Sequence, residues 1–240
     1  MPTLILLRHG RSTANTAGLL AGRSPGIPLD DLGREQAAGL PARLTPLSPV
    51  MAVTSPLQRC RETLEPLALA RPDLAVHTED RINECDYGDW TGRPLAELSD
   101  EPLMAAVQQH PSSATFPGGE TLRAMQNRAV EAVRDWNTRV AAEHGADAVY
   151  LMCAHGDIIK SIVADALGMH LDLFQRVSVG PCSVTVIRYT SLRPFVLRLG
   201  DTGELASLAP PPRHREDDDE AGPAGSSGTG TSEAPVGGGL

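Results

Sequence analysis

The chain has 240 residues, 41% of them hydrophobic, and a formal net charge of −9. That length buries a sizeable core, while the acidic balance argues against a general nucleic-acid binder, which carries a basic face. No apolar stretch is long enough to span a bilayer, no basic-apolar leader precedes the first apolar run, and Cys60, Cys85, Cys153 and Cys182 show no CxxC spacing. The expectation is a reduced, cytoplasmic protein without membrane or nucleic-acid partners.

The first predicted element is Leu4 to Leu7, a continuous apolar run of the kind that suits a parallel strand buried on both faces. It stops abruptly in Arg8-His9-Gly10. A helical pattern follows from Leu32 to Leu44, which Pro41 should kink or end early. Val50 to Val53 predicts a second strand, passing into Thr54-Ser55-Pro56. The next segment, SPLQRCRETLEPLALA, predicts a helix with Ser55 as N-cap, Pro56 at its first position and Gln58 completing a capping box. Arg59 then falls in the first turn, where free N–H groups and the helix dipole favour an anion.

Glu84 lies in the loop RINECDYGDWTG, beside Tyr87 and Trp90, which can desolvate it and raise its pKa. Leu122, Met125, Val133, Trp136 and Val140 then mark one face of a helix that Gly145 can close. Ala148 to Ala154 is a third apolar run. It ends in His155-Gly156-Asp157 and leads into a helical IIKSIVADALG. Its Lys160, the only lysine in the chain, reads as compositional bias rather than function. Ser183 to Tyr189 alternates and is β-branched, and a further strand, FVLRL, follows Pro194. From Ala209 the chain is rich in Gly, Pro and Ser and has six acids against two arginines. The organisation read from this is a domain over 1–208 and a disordered tail over 209–240. Strand–helix alternation on this scale implies a mostly parallel sheet with helices on both faces.

Three strands thus end in polar groups, and ligands of open α/β sheets gather outside the carboxyl ends of parallel strands. If the three are neighbours, His9, His155, Arg8 and Arg59 converge. Two arginine forks and a histidine suit a phosphoryl group. A second histidine, neutral and held at one nitrogen, can attack phosphorus with the other. The leaving alkoxide needs a proton, for which Glu84 is the candidate. Competing chemistries lack their residues: there is no Cys-x5-Arg loop after a strand, no histidine–aspartate spacing for a two-metal site and no Gly-x4-Gly-Lys-Ser/Thr loop.

The segment LLRHGRSTAN resembles the signature of the histidine phosphatase superfamily, which includes the cofactor-dependent phosphoglycerate mutases. PLDDLGREQAAGLPARL, TSPLQRCRETLEPLA, NECDYGDWTG, FPGGETLRAMQNRAV and the stretch from CAHGD onward follow in that family's order, up to about Leu199. The resemblance implies a three-layer α/β/α sandwich, its central sheet mostly parallel with one antiparallel edge strand. It implies His9 as the nucleophile that becomes phosphohistidine, and Glu84 as proton donor and then base. Arg8, Asn15, Arg59 and His155 would bind phosphate, and Gly10 would let backbone approach it. No metal or organic cofactor is implied. The partner is a small phosphorylated substrate, and the oligomeric state is open, a homodimer being one option.

Departures bear on the substrate. Gly26 stands about where many relatives carry an aspartate, and DYGDWTG is closer to the phosphatase branches than to the mutases. The mutases' long insertion with paired basic residues is absent: RPLAELSDEPLMAAVQQHPSSAT holds one arginine, Arg93. The expected function is metal-independent hydrolysis of a phosphomonoester. The alternatives are a phosphomutase of the phosphoglycerate mutase type and a non-catalytic phospho-ligand binding module.

Overall fold

The structure is a computed structural model that describes residues 1–203. The boundary expected at Leu208 and the acidic tail over 209–240 lie outside the described residues. In chain order the strands are β1 (Thr3–Arg8), β2 (Met51–Thr54), β3 (Ala75–Thr78), β4 (Val149–Ala154), β5 (Val184–Arg188) and β6 (Phe195–Asp201). The helices are α1 (Thr13–Thr16), α2 (Asp31–Ala38), α3 (Leu40–Leu44), α4 (Gln58–Ala70), α5 (Leu95–Leu98), α6 (Pro102–Gln109), α7 (Leu122–His144) and α8 (Gly156–Leu167).

The strands form one sheet in the order β3-β2-β4-β1-β5-β6. The pairs β3–β2, β2–β4 and β4–β1 are parallel, and β1–β5 and β5–β6 antiparallel. The sheet is mostly parallel, as expected. Its antiparallel end holds two strands, β6 lying outside β5 at the edge. Alternation along β1 sorts the core into two layers, because successive side chains point to opposite faces. Leu4 and Leu6 join Met152, Trp136 and Ile159 on one side, while Ile5 and Leu7 join Leu40, Leu64 and Leu67 on the other. Helices α7 and α8 therefore cover one face and α3 and α4 the second, giving three layers.

The helical stretch from Leu32 to Leu44 divides at Gly39, and Pro41 sits at the start of α3, where its missing N–H costs little. The helix expected to be capped by Ser55 starts later, at Gln58, after Leu57, and has no side-chain cap. Ser55 is diverted to another partner, described below.

Candidate active site

Because β2, β4 and β1 are adjacent and in register, with Arg8 opposite Ala154 and Thr54 opposite Cys153, their carboxyl ends stop level with one another. Backbone bonds carry this pairing just past the strands: His9 N donates to Ala154 O at 3.0 Å and Ser55 N to Cys153 O at 3.0 Å. Arg8, His9, Ser55 and His155 are thereby brought together, and Arg59 joins them from the first turn of α4. All five are buried.

His9 holds its ring by Nδ1, which donates to Gly10 O at 2.7 Å when the ring is neutral. Nε2 then carries the lone pair, and Arg59 Nε donates to it at 3.3 Å. Burial, with the charges of Arg59 and Arg8, keeps the His9 pKa well below the ordinary imidazole range, so the neutral form prevails. Arg59 Nη2 donates to Gly22 O at 2.8 Å, while its Nη1 is buried with no hydrogen-bond partner among the described residues. A buried guanidinium N–H in that condition is a ready donor for an anion.

His155 caps α8 with its backbone in an extended conformation, and its ring centroid lies 5.3 Å from that of His9. Its Nε2 pairs with Ser55 Oγ at 2.7 Å. That bond is why Ser55 does not cap α4. Desolvation, then the neighbouring Arg59, lowers the His155 pKa well below its usual value, so the 4.0 Å between its Nδ1 and Glu84 Oε2 is a close approach rather than an ion pair.

Glu84 is buried, and one carboxylate oxygen accepts from Cys85 N at 2.9 Å. Desolvation, reinforced by the charge of Asp157 and opposed by Arg59 and Arg8, raises its pKa from 4.5 to about 7. A carboxyl poised there can give a proton and take one back near neutrality. The expected aromatic neighbours are buried and pack on Phe116, and Tyr87 also donates its hydroxyl to Asp157 at 2.7 Å.

His9, Ser12, Asn15, Gly22, Arg59 and Glu84 line one cleft, with Leu19, Leu20, Ala21 and Leu95 supplying apolar walls. Asn15 accepts from the Ser12 backbone N–H at 3.0 Å and hydroxyl at 2.9 Å through Oδ1, so its amide NH2 is the part left to donate. Arg8 is not part of that lining. It is fully buried, donates to Val179 O at 2.7 Å, and has its pKa lowered to about 10 by burial against the pull of Glu84 and Asp157. Gly10 is also constrained by packing: a Cβ there would come within 2.8 Å of Gly33 O in α2.

Two arginines hold the acid loop, and sequence reasoning assigns neither a role. Arg128 on α7 donates to the carbonyls of Arg81, Asn83 and Glu84 at 2.7, 2.7 and 3.0 Å and pairs with Glu120. Arg23 donates to Glu84 O at 2.9 Å and to the same Glu120 at 2.9 Å. Two arginines bridged by Glu120 thus clamp the backbone that carries Glu84. The signal was present in FPGGETLRAMQNR, but an arginine on a helix reads as surface until its partners are known. Among the described residues, no group of three His, Cys, Asp or Glu side chains is placed to hold a metal ion, and no helix is long and apolar enough to cross a membrane.

Two facing histidines, two buried arginines and a carboxyl with a raised pKa, gathered at the carboxyl edge of a three-layer α/β/α sandwich, suit an enzyme that handles phosphate esters. The chain belongs to the histidine phosphatase superfamily (branch 1), whose sequence model matches residues 4–202. It is a phosphatase of that superfamily. Phosphoserine phosphatase 1 of Hydrogenobacter thermophilus is 30% identical over 87% of this chain and 96% of its own length. A glucosyl-3-phosphoglycerate phosphatase of Mycolicibacterium vanbaalenii is 29% identical, covering 70% of this chain and 76% of that one. Among solved structures, Bacillus stearothermophilus YhfR superposes with a TM-score of 0.75 at 27% identity, covering 84% of this chain and 98% of that one.

Proposed function

We propose that the protein hydrolyses phosphomonoesters through a phosphohistidine at His9, in the cytoplasm and without a metal or organic cofactor. Arg8, Asn15, Arg59 and His155 bind the phosphoryl group, Arg8 from behind the cleft. The observation that carries this reading is the orientation of His9: Nδ1 is tied to Gly10 O, and Nε2 belongs to the cleft shared with Arg59 and Glu84.

In the first step His9 Nε2 forms a bond to phosphorus as the ester P–O bond breaks, and Glu84 gives its proton to the departing oxygen. Arg59 turns its donors from His9 and toward the phosphoryl oxygens, where charge is spread in the transition state. His155 donates from Nδ1 when Ser55 O–H donates to its Nε2. In the second step the Glu84 carboxylate takes a proton from water, the new P–O bond forms and the P–N bond breaks.

Hydrolysis is favoured over mutase chemistry because the arginines flanking the cleft are already engaged. Arg23 is paired with Glu120 and Asp86, and Arg93 with Glu101 at 2.6 Å. The remaining walls are apolar, which suits an ester whose alcohol carries apolar surface. The phosphoserine and glucosyl-3-phosphoglycerate phosphatases among the relatives make phosphorylated hydroxy acids the first esters to try.

The test is release of inorganic phosphate across a panel of phosphomonoesters in EDTA, with rapid acid-labile labelling of the enzyme. Turnover that survives EDTA, with label absent from His9→Ala, is expected. A His9→Ala enzyme that turns over at the native rate sinks the mechanism.

A further inference from the structure

Behind the acid loop lies a charge pair that the two chemical steps do not use. Asp157 and Lys160 are both buried, one turn apart in α8, with Lys160 Nζ 3.6 Å from Asp157 Oδ1. The other Asp157 oxygen accepts from the Tyr87 hydroxyl at 2.7 Å, so the pair is tied to the loop that bears Glu84. Lys160 is further held by Gln175 Oε1 at 3.0 Å and faces the Phe174 ring at 5.9 Å. Asp157 occupies the first turn of a twelve-residue helix, where the dipole favours an anion. A buried lysine is costly unless paired, and this one is the only lysine in the chain.

We propose that Asp157 and Lys160 are positioning residues that set, by opposed charges, the pH at which Glu84 releases its proton. This rests on the reading of Glu84 as the proton donor. The groups facing Glu84 come from every side. Asp157, Lys160 and the cap residue His155 belong to α8, Arg59 to α4, Arg8 and His9 to the end of β1, and Cys85 and Tyr87 to the acid loop itself. Arg128 and Arg23 hold its carbonyl. Around Glu84, Asp157 acts against Arg59 and Arg8. Asp157 is the charge that favours the protonated acid, its effect second only to burial, while Lys160, 3.6 Å from Asp157 Oδ1, acts on Glu84 in the opposite sense.

The two residues therefore pull in opposite directions, and this distinguishes tuning from mere structural support. Asp157→Asn keeps the shape and removes the anion, so Glu84 should lose its proton at a pH lower by about one pH unit. Lys160→Met removes the cation and should move the midpoint upward. The measurement is the titration of Glu84 in the full chain labelled with δ-13C glutamate, its resonance assigned by its loss in Glu84→Gln. The basic limb of kcat/KM for an alkyl phosphate is recorded in parallel.

A downward midpoint in Asp157→Asn with an upward one in Lys160→Met supports the proposal. Equal midpoints, or shifts of the same sign, overturn it. If the carboxyl midpoints move as expected while the basic limb stays in place, the charge pair is upheld and the catalytic assignment of Glu84 falls instead.

Discussion

Arg59 Nε donates to His9 Nε2 across 3.3 Å, so the side chain proposed to grip a phosphoryl group also guards the nitrogen proposed to attack it. The contact fixes the acceptor state of that nitrogen before substrate arrives, and an incoming anion exchanges one acceptor for another. Arg59→Ala should therefore lower kcat/KM by about a hundred- to a thousand-fold, the usual cost of losing one preorganised donor. Steady-state kinetics checks this, and a loss under tenfold would remove Arg59 from the phosphate pocket.

Glu84→Gln separates esters by leaving group. An alkyl phosphate needs a proton on its departing oxygen, whereas nitrophenol leaves without one. The variant should slow phosphorylation by the alkyl ester far more than by nitrophenyl phosphate, read from the burst of product before steady state. Equal losses with both would show that Glu84 gives no proton.

The raised Glu84 pKa also has a stability signature. The native state holds this proton up to about 7, the unfolded chain only to 4.5, so the contribution is present in full below 4.5 and is lost as pH rises through 7. Glu84→Gln should thus gain on the native protein between pH 5 and pH 8, by up to about 3 kcal/mol. Urea unfolding at the two pH values reads the difference. His9 and His155 act with the opposite sign: their lowered pKa values withdraw stability as pH falls below 6.5.

Arg128→Ala removes three donors from the carbonyls beneath Glu84. Turnover of alkyl phosphates should fall at least tenfold with KM little changed, while nitrophenyl phosphate is spared more, because the acid loses its place rather than the phosphate its grip. A loss confined to KM would contradict that.

Truncation after Leu208 should leave kcat/KM unchanged, since every residue assigned to the chemistry lies before it. A changed constant in a folded truncated protein would give the acidic tail a part in catalysis.

Much of this site was legible because its chemistry is written at strand ends. An apolar run that breaks into Arg8-His9-Gly10, and another into His155-Gly156-Asp157, announces both a buried strand and what the strand delivers. What stayed hidden depended on partners remote in the chain. Ser55 looked like a cap because local geometry offers it one, yet the bond it makes is to His155, a hundred residues on. Lys160 looked incidental because a lysine is usually solvated; only Asp157 beside it and Gln175 across from it make its burial tolerable. Ala75 to Thr78 was not read as a strand at all. It is the sheet's mostly exposed outer edge at β3, so it lacks the apolar continuity that marks its neighbours.

The position of β1 carries a consequence for synthesis. Its neighbours in the sheet, β4 and β5, emerge roughly 140 residues after it or more. At a ribosome's pace of about 5–20 residues per second, this largely apolar segment waits on the order of ten seconds for a partner. Through that interval it is a sticky, unpaired strand that nascent-chain chaperones must shield. The same interval means that no fragment ending before β4 can assemble this site ahead of time.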